Sequence, residues 1–253
     1  MVDWSRTAED YARYRAGYPP ELFERLERLG VGRAGQRVLD LGTGPGPLAR
    51  PLALRGGRVV GLDPSLDALR QAQRLDEQAG VAVSYVAGRA EHVGLASGCF
   101  DVVAAGTAWQ WFDGPAAAAE ARRLLVAGGA LVITRFMRVP LVGSLTEATE
   151  RLIARHNPAW PFRPDSGIHP GWVADVEQAG FSDIETFSFD SSIPYSHEAW
   201  CGRVRASAPV GATMTAEQVG DLMTDLRDLL AASYPQQPLA VRHRTFAVVC
   251  RAP

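Results

Sequence analysis

Short apolar runs alternate with helix-like segments along the first half of the chain, and this alternation limits the possible folds more than any other feature. The runs occupy 37–41, 58–62, 81–86, 100–105 and 130–136. Each is apolar along most of its length, which is typical of strands that helices cover on both faces. With two later runs, at 184–189 and 244–250, they predict a doubly wound α/β fold with a mostly parallel, seven-stranded sheet.

The second half of the chain breaks this alternation. Within 140–167 a helical segment gives way to a stretch rich in proline and aromatic residues, and helical patterns return at 172–179, 197–206 and 216–232. We predict that 1–138 forms the α/β core, with an N-terminal segment that covers a bound ligand. We expect 139–253 to complete the sheet and to add helical insertions as a lid, both parts making one compact unit.

Composition argues against several classes of function. The formal net charge is −2, from 26 basic and 28 acidic side chains, and the arginines are scattered. Because a nucleic-acid groove needs clustered positive charge, no nucleic-acid partner is expected. No stretch approaches the roughly 20 apolar residues that span a bilayer, and residues 1–10 are charged, unlike a signal peptide. We therefore expect a cytoplasmic protein without a membrane partner.

The cysteines argue against a metal site or a disulfide scaffold. Cys99, Cys201 and Cys250 lie far apart and form no CxxC pair. An odd and sparse set of this kind is typical of packed or free thiols. No metal cofactor is expected.

A glycine-rich turn, VLDLGTGPG at 38–46, follows the first apolar run. In open parallel sheets, ligands bind beyond the carboxyl ends of the strands, where the strand order reverses. Gly42 and Gly44 would let a ligand approach the backbone closely. Asp40 would repel a pyrophosphate but can accept hydrogen bonds from an ammonium group, and Pro45 lacks the N–H that a phosphate site would use. These details favour a nucleoside joined to an amino acid over a dinucleotide.

Asp63 ends the second apolar run, about 20 positions beyond Gly42, which is the separation expected for a ribose-binding acid. Its carboxylate can accept hydrogen bonds from both ribose hydroxyls. The alternative is that Asp63 only caps the helix that begins near Ser65, although capping and ribose binding can coexist.

The turn and Asp63 together resemble class I S-adenosylmethionine-dependent methyltransferases, which have a Rossmann-like fold. Residues 38–46 resemble their first motif, VLDxGxGxG, and Asp63 resembles their ribose-binding acid. Residues 88–91 are similar to the loop that contacts adenine, and 100–103 to the strand that follows it.

Two further segments are similar to a small-molecule subgroup that includes trans-aconitate methyltransferases. AWQWFD at 108–113 is similar to the subgroup's A-x-H-W-F-D, and YARYRAGYP at 11–19 to its Y-x-x-x-R-P-x-Y-P opening. The resemblance extends from Tyr11 to about Phe136. It implies the cofactor S-adenosyl-L-methionine.

Carried over position by position, the resemblance implies a set of cofactor-binding residues. The backbone of Gly42 and Gly44 would lie next to the methionine moiety, and Ala90 would donate its N–H to adenine. Tyr14 and Arg15 would contact the cofactor's carboxylate. The full set is Tyr14, Arg15, Asp40, Gly42, Thr43, Gly44, Asp63, Pro64, Arg89, Ala90, Glu91, Thr107 and Ala108.

Two departures from the family pattern bear on the chemistry. Arg89 stands where many relatives have an acid, and Gln110 replaces the subgroup's histidine, so a mechanism that needs this histidine as a base is not available. Methyl transfer is then expected to depend mainly on proximity and desolvation. His169 and Tyr14 are the candidates for a catalytic role.

Aromatic residues are the candidates for substrate binding, either as a wall for a flat ligand or as packing between helix and sheet. They are Trp109, Trp111, Phe136, Trp160 and Trp172. We expect a small, planar or partly apolar metabolite of the kind methylated in secondary metabolism. An acidic metabolite is the other possibility, with Arg135, Arg138 or Arg163 as its counter-charge.

Two other functions fit parts of the pattern. A NAD(P)-dependent oxidoreductase shares the glycine turn and the later acid, although Asp40 and Pro45 argue against it. A binding protein that keeps the cofactor site without catalysis would account for the missing histidine. The acceptor atom and the choice between monomer and homodimer stay open.

Overall fold

The computed structural model describes residues 13–163 and 165–253. These residues divide into two compact units. The sheet unit comprises Gly17–Phe136, Ile168–Phe189 and Thr245–Pro253. The helical unit comprises, among the described residues, 13–16, Met137–Gly167 and Asp190–Arg244.

The strands form a seven-stranded sheet in the order β3-β2-β1-β4-β5-β7-β6, and the first five strands pair in parallel. They are β1 Arg37–Leu41, β2 Arg58–Asp63, β3 Ser84–Ala87, β4 Phe100–Gly106, β5 Leu125–Arg138, β6 Ser182–Tyr195 and β7 Leu239–Arg251. The predicted doubly wound, mostly parallel sheet is confirmed. The strand order reverses between β1 and β4, so the switch point lies beside the glycine-rich turn.

Helices follow most strands. They are α1 Pro20–Arg28, α2 Ala49–Leu54, α3 Leu66–Ala79, α4 Gly114–Leu124, α5 Leu145–His156, α6 Gly171–Gln178, α7 His197–Arg205, α8 Ala208–Gly211 and α9 Ala216–Ser233. Helix α1 was missed in the sequence, although Pro20 occupies its first turn and Leu22, Phe23 and Leu26 form a buried stripe. Among the described helices, none combines the length and apolar character needed to cross a membrane.

Local capping explains where the helices beside the candidate site begin and end. The Ser65 hydroxyl accepts a hydrogen bond from the Ala68 N–H and so caps the N-terminus of α3. Gly80 ends the same helix in a left-handed conformation, with φ 64°. Asp113 caps α4 in the same way as Ser65, and Pro115 lies in its first turn.

The central strands of the sheet unit are almost wholly buried. Leu39 and Leu41 of β1, Val103 of β4 and Ile133 of β5 are all fully covered. Each fully buried aliphatic side chain stabilises the fold by about 1.5–3 kcal/mol. This core holds the carboxyl ends of the strands in fixed positions.

Two strand boundaries differ from the prediction. The third strand begins at Ser84 instead of at 81. The fifth begins at Leu125 instead of at 130, and it continues through Gly128 and Gly129. The reason is pairing with the end of β7: the Gly128 N–H donates to the Ala252 carbonyl, and the Ala252 N–H donates to the Gly129 carbonyl, each at 2.9 Å. The glycine pair is thus a bend within the sheet.

The helical unit has an apolar core of its own. Tyr195, Trp200 and Leu226 belong to it, and the Trp200 indole N–H donates to the Thr149 hydroxyl at 3.2 Å. His243 is buried in this unit, with its ring stacked on Tyr195, although Arg242 and Arg244 flank it in the sequence. Alternation along β7 turns the histidine inward.

The strand β2 depends on a glycine where an aromatic ring crosses it. A Cβ at Gly61 would lie 2.7 Å from the Tyr85 ring and 2.8 Å from the Thr43 methyl group. We expect Gly61→Ala to lower the free energy of unfolding by about 1–3 kcal/mol, because neighbouring groups must shift. Urea denaturation measures this.

Gly171→Ala is the matched control for this prediction. Gly171 is the first residue of α6, and a Cβ there would meet no atom within 4 Å. Its substitution should be neutral or stabilising by up to about 1 kcal/mol. Equal losses in the two variants would contradict the assignment of the cost to the crowding at Gly61.

Candidate functional site

The ends of β1 and β2 lie side by side and are joined by backbone hydrogen bonds. Leu41 pairs with Leu62 at the last step of the parallel ladder. Beyond it, the Thr43 N–H donates to the Leu62 carbonyl at 2.9 Å, and the Gly44 N–H donates to Asp63 Oδ2 at 2.9 Å. The glycine-rich turn and the predicted ribose acid therefore meet directly.

The glycines of the turn serve two different purposes. Gly42 has φ 65°, and a Cβ there would lie 2.7 Å from the Ala108 Cβ, so its place is a close packing contact with the segment after β4. Gly44 has φ 53°, and a Cβ there would meet nothing within 4 Å. Its backbone is accordingly open to a ligand.

Asp63 is held in one orientation by two backbone amides. Its Oδ1 accepts from the Ser65 N–H and its Oδ2 from the Gly44 N–H, each at 2.9 Å. Partial burial raises the pKa of this carboxyl, and the two N–H groups oppose the rise. Among the described residues, no arginine or histidine forms an ion pair with it within 4.0 Å. Since each carboxylate oxygen can accept a further hydrogen bond, capping leaves room for ribose hydroxyls.

Asp40 lies beneath the turn and is fully buried. Its Oδ2 accepts a hydrogen bond from the Thr43 hydroxyl at 2.7 Å, which fastens the turn to β1. Oδ1 is buried and makes no hydrogen bond of normal geometry with the described residues. Burial raises the pKa of Asp40 to about 7, against the Thr43 hydroxyl and the Ala49 N–H, which lower it. A nearby ammonium group would restore the charged form.

The loop after β3 lies next to Asp63. The Gly88 N–H donates to the Asp63 carbonyl at 3.2 Å, and Ala90 is buried. Glu91 accepts from the Asp113 N–H at 3.1 Å, which ties the loop to the start of α4. Arg89 is mostly exposed and lies 3.5 Å from Glu91. Ala90 and Glu91 thus lie on the same sheet edge as the turn.

Thr107, at the end of β4, has an unusual backbone conformation. Its φ is 55°, which is costly for a β-branched residue and persists only where the surroundings enforce it. Its N–H donates to the Thr134 carbonyl at 2.7 Å, and its hydroxyl hydrogen-bonds with the Tyr18 hydroxyl at 2.8 Å. The Phe136 N–H also donates to Thr107 Oγ1, at 3.2 Å. Sequence reasoning gave Tyr18 no role.

The aromatic candidates divide into buried and exposed residues. Trp109, Phe136 and Trp172 are buried, and Trp111 and Trp160 are exposed. The Trp109 indole N–H donates to Asp175 at 2.9 Å, and the Phe136 ring packs against Tyr18 at 5.8 Å. Substrate contact by any of these five residues stays a prediction.

The candidates for catalysis are spread over both units. In the sheet unit, His169 stacks on Trp172 at 4.4 Å, and the Gln110 side chain donates to the Thr107 carbonyl at 2.9 Å. In the helical unit, the Tyr14 ring lies against Gly202, where a Cβ would come within 2.3 Å of it.

The roles of Tyr14, Arg15 and His169 stay predictions. Tyr11 and Ala12, which open the N-terminal motif, lie outside the described residues. Within the described part of the chain, no three His, Cys, Asp or Glu side chains are grouped so as to hold a metal ion.

The raised pKa of Asp40 predicts a pH-dependent stability. Between the unfolded value of 3.8 and the folded value of about 7, the native state keeps a proton that the unfolded chain has lost. Native stability due to Asp40 is therefore full below pH 4 and falls as the pH rises to 7. Asp40→Asn removes this loss, so its stability relative to wild type should rise over that window by a few kcal/mol, about 1.4 kcal/mol per pKa unit.

Urea unfolding of both proteins at several pH values between 4 and 7 measures this difference. His243, whose burial lowers its pKa to about 3, titrates in both proteins and cancels in the comparison. A difference that does not change with pH would show that Asp40 ionises normally.

Comparison with known proteins agrees with this geometry. Residues 39–133 match the family model described as a methyltransferase domain. An uncharacterized methyltransferase of Mycobacterium tuberculosis is 36% identical over 143 residues, 55% of this chain and 54% of the relative. A ubiquinone biosynthesis O-methyltransferase of Azorhizobium caulinodans is 31% identical over 160 residues, 62% of this chain and 63% of the relative. The chain thus spans about half the length of its mycobacterial relative.

Solved structures share the fold. The phosphoethanolamine N-methyltransferase 2 of Haemonchus contortus, in complex with phosphomonomethylethanolamine and S-adenosylhomocysteine, superposes with a TM-score of 0.60 at 19% identity. The match covers 100% of this chain and 61% of that one. Residues 39–133 therefore match a methyltransferase domain, and the chain shares the Rossmann-like fold of solved methyltransferases.

Proposed function

We propose that this protein transfers a methyl group from S-adenosyl-L-methionine to a small-molecule acceptor. The observation that carries the proposal is the 2.9 Å hydrogen bond from the Gly44 N–H to Asp63. It joins an open glycine backbone to an oriented carboxylate at the switch point of the sheet, where a nucleoside linked to an amino acid fits.

Different residues at this edge of the sheet would bind different parts of the cofactor. Asp63 would accept hydrogen bonds from the ribose hydroxyls, and Ala90 and Glu91 would contact the adenine. Gly44 would lie along the amino-acid end. The unsatisfied, buried Oδ1 of Asp40 supports a cationic group nearby, because an ammonium would stabilise the carboxylate that burial otherwise disfavours. A pyrophosphate would find no such support.

S-adenosyl-L-methionine, when bound, supplies a methyl group already activated by its sulfonium. The chain's own residues then have to bind, orient and exclude water. Thr107 is fixed by four hydrogen bonds at the end of β4, and Ala108 beside it is buried, so this wall of the site is well ordered. Gln110 cannot act as a base, which supports catalysis mainly by proximity and desolvation.

The acceptor is proposed to be a small, planar or partly apolar metabolite. The resemblance of 108–113 to the subgroup with trans-aconitate methyltransferases supports a small acceptor. One relative is named as an O-methyltransferase of ubiquinone biosynthesis, which supports the same class.

Asp63→Ala should weaken binding of S-adenosylhomocysteine by about 2 kcal/mol, or about 30-fold, because hydrogen bonds to a charged acceptor are lost. The variant also frees the amides of Gly44 and Ser65, so a second ligand is needed to isolate the ribose contact. A dideoxyribosyl analogue without either ribose hydroxyl should bind the variant and wild type about equally. Calorimetry measures both affinities.

Asp67→Ala is the matched control for this experiment. Asp67 is an exposed carboxylate in the first turn of α3 that pairs with Arg70. Its removal should leave both affinities unchanged. A loss in Asp63→Ala of the same size for both ligands would place the ribose elsewhere.

Radiolabelled methyl donor, incubated with the protein and a metabolite extract, tests the proposed activity. Label should move to small molecules in wild type and much more slowly in Asp63→Ala. A protein that binds S-adenosylhomocysteine but transfers no label to any fraction would be a binding protein without catalysis, and the proposed activity would be wrong.

A further inference from the structure

The sheet unit contains a buried ion pair that the proposed function does not use. Arg50 Nε donates to Asp76 Oδ1 at 2.7 Å, and the two side chains are only 17% and 5% exposed. The Tyr85 hydroxyl donates to the other carboxylate oxygen, Oδ2, at 2.6 Å. Burial of a carboxylate is costly unless its oxygens are paired, and here both oxygens are. We call these three residues the Arg50 network.

The network joins the two helices that follow the two halves of the candidate site. Arg50 is the second residue of α2, the helix after the glycine-rich turn. Asp76 belongs to α3, the helix after Asp63. Arg50 Nη2 also donates to the Ala72 carbonyl of α3, at 3.2 Å. Because an α-helix is rigid over its length, fixing α3 at these two points also fixes its first turn.

The same guanidinium contacts the glycine-rich turn itself. Arg50 Nη2 donates to the Pro45 carbonyl at 2.9 Å, and the Arg50 N–H donates to the Gly46 carbonyl at 3.0 Å. The Gly46 N–H donates to the Thr43 carbonyl at 3.0 Å, which closes the turn. A Cβ at Gly46 would lie 3.0 Å from Arg50 Nη2 and 3.1 Å from the Tyr85 hydroxyl oxygen. The backbone of the turn therefore packs directly on the network.

Tyr85 connects the network to the sheet. It belongs to β3, and its ring crosses β2 at Gly61, where a Cβ would lie 2.7 Å from the ring. Burial and the Asp76 carboxylate raise the pKa of the Tyr85 hydroxyl, which therefore stays protonated and donates at physiological pH. The network is thus attached to the turn, to α2, to α3 and to β3.

We propose that Arg50, held by Asp76 and Tyr85, is a positioning residue for cofactor binding. It would keep the turn and α3 at the separation at which the Gly44 N–H meets the Asp63 carboxylate, 2.9 Å apart. Binding groups that are fixed by contacts behind them lose little conformational entropy when a ligand arrives. The inference rests on the proposed function, because it concerns the same site.

The double variant Arg50→Gln/Asp76→Asn tests the proposal, because it removes both charges and leaves neither of them buried alone. Calorimetry measures its affinities for S-adenosylhomocysteine and for the dideoxyribosyl analogue. The ratio of the two affinities reports the contact with the ribose hydroxyls. This ratio should fall about ten-fold from its wild-type value, the lower end of the loss seen when the support of a metal ligand is removed. A loss of stability alone lowers both affinities equally and leaves the ratio unchanged.

Tyr85→Phe is the second variant, and it decides the question if the double variant does not fold. It keeps the ring at Gly61 and removes only the hydroxyl that donates to Asp76. The ratio of affinities should fall in the same direction by a smaller factor, because Arg50 keeps its own contacts.

Arg37→Gln/Asp101→Asn is the matched control. Arg37 and Asp101 form an ion pair of 2.7 Å in the same unit. They lie at the beginning of β1 and of β4, away from the carboxyl ends that carry the candidate site. The same pair of substitutions there should leave the ratio of affinities unchanged.

Amide hydrogen exchange gives a readout that needs no ligand. The Gly44 N–H should exchange faster in the network variants than in wild type, because its bond to Asp63 is no longer held in place. The internal reference is the Arg58 N–H, which donates to the Gln36 carbonyl at 2.8 Å at the other end of β2. Exchange of Gly44 relative to Arg58 is compared, so that a change in global stability cancels.

The outcomes separate this inference from the proposed function. If wild type binds S-adenosylhomocysteine, an unchanged ratio of affinities or an unchanged relative exchange rate of Gly44 in the network variants would overturn this inference alone. A wild type that binds no S-adenosylhomocysteine would overturn the proposed function and this inference with it. A lower ratio together with faster relative exchange, in the network variants and not in the control, would support it.

Discussion

The hydrogen bond between the Gly44 N–H and the Asp63 carboxylate is the interaction on which the candidate site depends. It joins the turn after β1 to the end of β2 and fixes both in one orientation. The parallel pairing of Leu41 with Leu62 sets the distance that makes it possible. A ligand that binds at this edge meets groups that are already ordered, so little conformational entropy is lost on binding.

Burial is the second constraint. Asp40 is covered by the turn that it supports, and desolvation moves its pKa to about 7. Thr107 is held at φ 55° by Thr134, Tyr18 and Phe136. The burial of the Asp40 carboxyl and the positive φ of Thr107 each cost free energy, and contacts with neighbouring residues offset that cost. Concentration of such costs at one edge of the sheet is typical of binding sites.

Periodicity and turn chemistry predicted most of the sheet, because a fully buried parallel strand leaves an apolar run in the sequence. They predicted the place of Gly44 and Asp63 for the same reason: both follow such runs directly. Contacts between distant segments could not be predicted. The Tyr18 hydroxyl on Thr107 and the pairing of Gly128 with Ala252 join residues far apart in the chain, and no local pattern encodes them.

The central claim is that the ends of β1 and β2 hold a nucleoside joined to an amino acid. Calorimetric titration of the protein with S-adenosylhomocysteine and, separately, with NADH tests it most directly. We predict that S-adenosylhomocysteine binds at one site and that NADH does not bind measurably. Tight binding of NADH together with no binding of S-adenosylhomocysteine would contradict the account.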